Sequence, residues 1–521
     1  LVARATLKYL VPMTASSAPP QERWLLAGTI LAASLVFIDG TALNVALPRI
    51  QTGLGATASD LLWIVNGYLL VLAALIPLGG ALGDRFGRRR VYMLGIAAFL
   101  VGSMWCGFAP DPHWMIAARV FQGLGGALLV PGSLALLNAG TAPGRRDRAI
   151  GVWSAATTVV TVLGPLVGGL FCDWGWWRAV FFLNVPLGAA ALLLLGTRVP
   201  DDQPGSSSGK MDWGGSLLLS LGLAALTWGA QSVPGLGFTA PLPWVAIVAG
   251  LAALGAFVAA EFRAAHPVIP WNLFASPGFA GANLLTFFLY GALNVLGFFL
   301  NLNLVQVQGY PVALAGMAML PFAVLMAIFS RRFGIWADRV GPRPFLAAGP
   351  TLVAIGFLGL GAVGLTPGWT AYFWTFFPGI LVFGLGMAVT VAPLSAAVMG
   401  SVADDKAGVA SGINNAVSRV AGVLALAVLG AVAASLFPGA WAEKTAALPL
   451  DADQKAFLLR EAAKLAGAAL PPGLAPGDAF QVKAALESAF LEGWRVVMVS
   501  CAGLALAAGA FGWWGIPGKK R

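Results

Sequence analysis

Fourteen stretches of about nineteen mostly apolar residues follow one another along this chain, each long enough to cross a hydrocarbon core as an α-helix. No soluble core absorbs that many. Hydrophobic residues make up 59% of the 521 positions and charged residues 10%, against roughly a quarter charged in a soluble domain. A membrane β-barrel would alternate apolar and polar positions, whereas these runs are continuous. The expected fold class is therefore an all-α polytopic membrane protein. Its 14 transmembrane helices fall at approximately 24–48, 60–82, 91–109, 114–139, 149–171, 178–197, 213–231, 243–260, 278–303, 312–333, 345–366, 371–399, 407–437 and 491–515.

An even number of spans puts both termini on one side, and Lys and Arg say which. One set of connections holds Arg85, Arg88, Arg89 and Arg90, then Arg145, Arg146 and Arg148, then Arg331, Arg332, Arg339 and Arg343, and the tail Lys519, Lys520 and Arg521. The opposite short connections offer little beyond Arg49 and Arg178. The basic set is expected on the cytoplasmic side, with both termini. That bias accounts for the net charge of +10, so nucleic acid is not an expected partner. Residues 1–23 carry Arg4, Lys8 and Arg23 but no apolar core of a signal peptide, and Met13 opens a natural start, so 1–12 are set aside from the fold reading.

Two irregularities divide the chain. Residues 200–212 are a polar Pro/Gly/Ser stretch that reads as a hinge, and 438–490 reads as a long external loop with short amphipathic helices near 452–468 and 479–489. The expected organisation is an N-terminal segment 1–23, a six-helix bundle 24–197, a linker 198–277 with two extra spans, a second six-helix bundle 278–515 and a tail 516–521. A repeat supports two bundles. Gly80-Ala81-Leu82-Gly83-Asp84-Arg85-Phe86-Gly87-Arg88-Arg89 returns as Gly334-Ile335-Trp336-Ala337-Asp338-Arg339-Val340-Gly341-Pro342-Arg343, as in transporters whose halves rock about a central site.

Asp39 is the one acidic residue that falls deep within a span rather than in a loop or at a span end. A carboxylate there costs at least a few kcal/mol and marks function. Arg119, in the fourth span, lies on the order of 8 Å from the outer end of its helix, and Asp39 roughly 13 Å from the outer end of its own, at about 1.5 Å per residue. They are expected to pair, directly or through water. A neighbouring Arg favours an ionised carboxyl and burial a neutral one, a competition that suits switchable protonation; a static structural ion pair is the plainer alternative. Gln122, one turn from Arg119, can add a hydrogen bond.

In the loop 80–90, Gly80 and Gly87 allow close approach of helix ends, Asp84 can pair with an Arg or cap a helix, and Arg85 and Arg88 hold the basic side. With Asp338 and Arg339 in the second copy, this reads as a conformational latch. Gly164-Pro165 with Gly168-Gly169 describes a kinked, closely packed gating helix. Asn44, Trp63, Asn66, Tyr68, Gln122, Phe287, Asn294, Asn301, Asn414 and Arg419 are candidates for the substrate cavity, although such residues serve equally as packing contacts. Arg419, about twelve residues into the thirteenth span, needs an acceptor, from backbone carbonyls or a side chain such as Asn414.

These residues together resemble the major facilitator superfamily, and within it the fourteen-span drug:proton antiporter branch. The resemblance covers about 24–515. It is carried by Asp39-Gly40-Thr41 through Asn44-Val45-Ala46-Leu47-Pro48, by the 80–90 loop, by Arg119, Gln122 and Gly123, by Gly164-Pro165 with Gly168-Gly169, and by Trp177-Arg178, Phe181, Asn184 and Pro186. The second half agrees less sharply, through Gln308-Gly309-Tyr310, Gly316, Pro321, Gly408 to Asn415 and Arg419, and Pro342 stands where the first copy has Arg88. The resemblance implies a proton-coupled exporter of lipophilic, often cationic compounds working by alternating access in a bacterial-type inner membrane. Asp39 and Arg119 would couple the proton, with no cofactor beyond the proton gradient, lipids as surroundings and a functional monomer. The branch also holds exporters of lipids, so a lipid exporter or flippase is the alternative.

Other classes fit poorly. An enzyme needs clustered nucleophiles, acids or metal ligands. Here Cys106, Cys172 and Cys501 show no metal-ligand spacing, and His113 and His266 fall in predicted loops. No catalytic or metal site is expected. There is no G-x-x-x-x-G-K-[ST] loop for ATP.

Overall fold

The computed structural model describes residues 20–142, 145–201, 213–263, 271–366, 368–402 and 407–517. The described residues form helices and no strands. We number the long helices in chain order: α1 Pro20–Leu54, α2 Ala58–Phe86, α3 Arg88–Phe108, α4 Pro112–Gly140, α5 Arg146–Asp173, α6 Asn184–Arg198, α7 Trp213–Leu236, α8 Pro241–Glu261, α9 Pro277–Leu302, α10 Leu320–Val340, α11 Arg343–Gly361, α12 Phe376–Gly400, α13 Ala407–Thr445 and α14 Pro476–Trp514. Among the described residues thirteen helical segments are long and apolar enough to cross a membrane, and α7 carries the shorter apolar stretch Leu217–Val233. The fourteen expected spans correspond to these fourteen helices. Of the hinge and the tail, 202–212 and 518–521 lie outside the described residues, as do 1–19.

Local chemistry explains several boundaries. Thr57 caps α2 by accepting from the Asp60 amide at 3.1 Å, while Asp60 accepts from the Thr57 amide at 2.8 Å, a capping box. Asp111 caps α4 ahead of Pro112, a residue suited to a first helical turn. The two copies of the repeat end their helices alike. Gly87 and Gly341 sit at φ 98° and 100°, where a side chain would be strained, and their amides return to Gly83 and Ala337 at 3.0 and 2.7 Å. In each copy the next helix begins at once.

Helices α1–α6 pack as one bundle and α9–α14 as a second, while α7 and α8 pair with each other. α7 then packs on both α2 and α13, filling the groove where the two bundles meet. Leu223 of α7 seals this seam against Leu70 of α2 and Val423 of α13. α8 turns Leu242, Val245, Val248 and Leu251 outward, the apolar surface expected against lipid.

The segment 438–490 is not a free loop. α13 continues to Thr445 and α14 begins at Pro476, so the stretch near 479–489 is the start of α14 rather than a separate helix. The reason is a continued apolar stripe. Phe437 and Trp441 on one helix, with Val482, Leu486 and Phe490 on the other, are buried, and Lys444 pairs with Glu492 at 2.6 Å. The expected helix near 452–468 is present as Ala452–Glu461, followed by a 3-10 turn, Ala462–Gly467. That turn lies across both bundles: Gln51 donates to the Lys464 carbonyl and accepts from Gln306, each at 2.8 Å.

Candidate functional site

Asp39 of α1 and Arg119 of α4 meet where the two helices cross. Arg119 Nη1 donates to Asp39 Oδ2 at 2.6 Å and to Gln122 Oε1 at 2.7 Å, and Gln122 Nε2 donates to Asp39 Oδ1 at 2.9 Å. The three side chains close a ring. Arg119 Nε donates to the Ile64 carbonyl at 3.1 Å, and its guanidinium lies 4.3 Å from the centre of the Tyr68 ring, a cation–π contact. Asp39 and Gln122 are 0% exposed and Arg119 1%, so the pair is dry in this conformation. The spacing of Arg119 and Gln122 puts both on one face of α4.

The neighbouring face of α1 behaves differently. Gly40 is exposed, and a Cβ there would meet nothing within 4 Å. Asn44, one turn on, bonds its own Gly40 carbonyl at 3.0 Å and keeps an exposed amide. One helix thus turns Asp39 into the bundle and Gly40 toward open space.

The gating residues divide between two partners. Positions 164 and 168 press on Thr41 and Ala42 of α1. Gly169 faces the other bundle, where a Cβ would lie 2.8 Å from the Ala313 amide, and a Cβ on Gly316 would lie 3.0 Å from the Pro165 carbonyl carbon. Asp173, which the sequence reading passed over as a span end, accepts from the Val312 and Ala313 amides at 2.9 Å each. A carboxylate at a helix N-terminus is favourable. With Gln51, Gln306 and Lys464, these contacts join the bundles at the end that carries segment 446–475.

At the opposite end, the 80–90 loop surrounds a cavity of about 160 Å³ lined by Gly80, Gly83, Arg88, Tyr92 and Pro131, among others. The side chain of Asp84 lies outside the described residues. Arg85 lies over Phe86, Arg88 opens α3, and Asp338 and Arg339 occupy the last turn of α10. The residue that ties this loop down is Arg89. It donates to the Leu195 and Gly196 carbonyls at 2.8 Å and pairs with Asp201, clamping the end of α6. Within an arginine run nothing distinguished it. Arg145 likewise grips Glu22 through two nitrogens at 2.9 and 2.7 Å.

The cavity candidates separate. Asn66 does not line an open path: it is 0% exposed on the α2 face between Leu62, which meets Gly430, and Leu70. Among the described residues neither of its side-chain polar atoms has a partner, and the same holds for Gln231 and for the Thr227 hydroxyl on α7. Tyr68 is buried against Arg119. Trp63 and Phe287 are half-buried. Among the described residues Asn414 makes no hydrogen bond with Arg419; its amide nitrogen donates to Asn283 and Thr286 at 3.2 and 2.7 Å. Asn294 and Asn301 bond carbonyls on their own helix. Among the described residues no group of three metal-ligating side chains gathers, and the three cysteines are free and buried.

A family model for the Major Facilitator Superfamily matches residues 29–426. The tetracenomycin C resistance and export protein of Streptomyces glaucescens is 33% identical over 497 residues, covering 93% of this chain and 90% of that protein. The cephamycin export protein CmcT of Amycolatopsis lactamdurans is 37% identical over 416 residues, covering 78% and 84%. Among solved structures, a bacterial homolog of the human lysosomal transporter Spinster, inward-facing and unoccupied, superposes with a TM-score of 0.66 at 17% identity, covering 97% of this chain and all of that one. That likeness speaks for the fold.

Proposed function

This chain belongs to the Major Facilitator Superfamily, a family of membrane transporters, and we propose that it is a proton-coupled exporter of lipophilic drug-like compounds. The observation that carries the reading is the buried ring of Asp39, Arg119 and Gln122, which holds an acid in mid-span. The names of its relatives, resistance and export proteins for antibiotics, support export.

On the positive-inside rule the 80–90 end faces the cytoplasm and segment 446–475 lies outside. The outer end is then the one closed, by α5 against Val312–Met317 and by the Gln51 bridge. In the cycle, a proton on Asp39 removes the negative charge that Arg119 faces and turns one oxygen from acceptor to donor. Arg119 keeps Gln122, the Ile64 carbonyl and the Tyr68 ring as partners, so it need not unfold the site when it lets go. The α1–α4 crossing can then loosen, and with it the α1–α5 contact at Gly164 and Gly168 that leads to the outer seam. Coupling requires that the two facings bind the proton with different affinity, since equal affinity shifts nothing.

The lipid exporter alternative weighs less, because α7 and α8 cover one of the two lateral grooves through which a lipid would enter. The test is substrate-dependent proton movement in proteoliposomes under an imposed pH gradient, for the wild type and Asp39→Asn. Proton flux that follows a lipophilic drug and vanishes in the variant is the expected result. Unchanged flux in Asp39→Asn would overturn the mechanism, and lipid-dependent flux alone would move the assignment to the alternative.

A further inference from the structure

We propose that the path between the two bundles selects compounds carrying an acidic group, and that Arg419 of α13 is the residue that receives the anion. The proposal deepens the exporter reading above and rests on it in calling the ligand a substrate.

Arg419 stands twelve residues beyond Ala407, about 18 Å along the helix at 1.5 Å per residue. Among the described residues it has neither a hydrogen-bond nor an ion-pair partner. Five donors on a permanent charge are left without an acceptor. Arginines in spans are ordinarily paired or face a water-filled path, and they mark where substrates pass.

The packing of α13 says where Arg419 points. Val423, one turn on, packs against Leu70 of α2 and Leu223 of α7, and Gly430 meets Leu62 of α2. Gly422, three residues on, meets the Asn294 amide of α9, and Ala421 and Ala425 back onto Gly291 of the same helix. At 100° per residue, Arg419 falls between the arc facing α2 and the arc facing α9. It is turned away from α7 and from lipid. Gly412 and Asn415 share this arc and are exposed, and a Cβ on Gly412 would meet nothing within 4 Å. The arc opens toward the inner end.

Charge balance gives the chemistry. Asp39 and Arg119 neutralise each other, and Tyr68 lies within electrostatic reach of both Arg119 and Arg419. One positive charge therefore remains on the α13 arc between α2 and α9, with Asn415 on the same arc and Asn294 beside Gly422. A planar guanidinium suits a carboxylate, sulfonate or phosphate through paired hydrogen bonds, and it repels a lipophilic cation. The expectation of cationic substrates is replaced by one of lipophilic acids, whether free compounds or anionic lipid headgroups.

The experiment uses the full-length detergent-purified protein and three probes that share a pyrene tail: pyrenebutyrate, pyrenebutanol and pyrenebutyl-trimethylammonium. Wild type is expected to bind the carboxylate about tenfold or more tighter than the ammonium probe. Arg419→Gln should bring the two within about twofold, while Arg419→Lys, which keeps the charge, should keep the order. An unchanged ratio in Arg419→Gln, or tighter binding of the cation by wild type, overturns the proposal. Competition with phosphatidylglycerol against phosphatidylcholine separates the sources: Arg419-dependent displacement by phosphatidylglycerol assigns a lipid headgroup, and no displacement assigns a free acid. Binding needs no transport. Arg419-dependent binding without proton-coupled flux defeats the exporter reading alone, and flux without the binding preference defeats this inference alone.

Discussion

Arg119 holds Asp39 through a single nitrogen, Nη1, which at the same time donates to Gln122, while Gln122 returns a hydrogen bond to the other oxygen of Asp39. The carboxylate is thereby gripped on both oxygens by two side chains one turn apart on α4. Loss of either grip leaves the other in place, which is what a reversible contact requires.

Removing one partner should cost more than removing both. Arg119→Ala is expected to destabilise the protein by about 3–5 kcal/mol, because a buried carboxylate is left uncompensated. The double variant with Asp39→Asn should recover most of that loss while transport stays absent. Thermal unfolding in detergent measures the cycle. A double variant no more stable than Arg119→Ala would show that the two side chains are not energetically coupled.

Closure of the outer seam depends on the absence of a side chain at 316. A Cβ there would meet the Pro165 carbonyl and come 3.2 Å from Val45, so Gly316→Ala should hold the bundles apart at that end. In an Asn44→Cys background, labelling by an impermeant thiol reagent from outside should rise several-fold, since the native cysteines are buried, and transport should fall. Unaltered labelling would mean that the seam tolerates the methyl group.

Asp173 provides the charge on the same seam. Asp173→Asn keeps the size and loses the charge at the Val312–Met317 N-terminus, an effect of about 0.3–2 kcal/mol. The same outside labelling assay should show a smaller increase than Gly316→Ala. A decrease would contradict a closing role.

Gln231 is buried, and among the described residues neither its side-chain oxygen nor its nitrogen has a hydrogen-bond partner. A buried polar group without a partner costs about 1–3 kcal/mol, so Gln231→Met should raise the apparent melting temperature of the purified protein. A fall would show that the amide is satisfied in the folded protein and contributes to the α7 seam.

The pairing of Asp39 with Arg119 was legible because both charges lie far from span ends and at compatible depths, and a buried acid must find a cation. The Gly80–Arg89 repeat was legible as two like helix ends, but the residue that grips α6, Arg89, was not. Four arginines in that loop are equivalent until α6 brings two carbonyls to one of them. The placement of Asn66 failed for the same reason. An amide in a span reads alike whether it faces a pathway or a helix, and the packing of α7 into the α2–α13 groove decided that it is buried.

Continuous apolar runs determine a helix, a span and, with the arginines, an expected orientation, because backbone hydrogen bonding and desolvation act on each segment by itself. On that footing the fourteen helices and the buried acid belong to the sequence alone. Which helix fills which groove is another matter. So are the continuation of α13 and α14 beyond the expected spans, the α5 glycines that meet the opposite bundle, and Arg419 left without an acceptor. Each depends on residues hundreds of positions apart, and packing in three dimensions chose among arrangements that local hydrophobicity leaves equal.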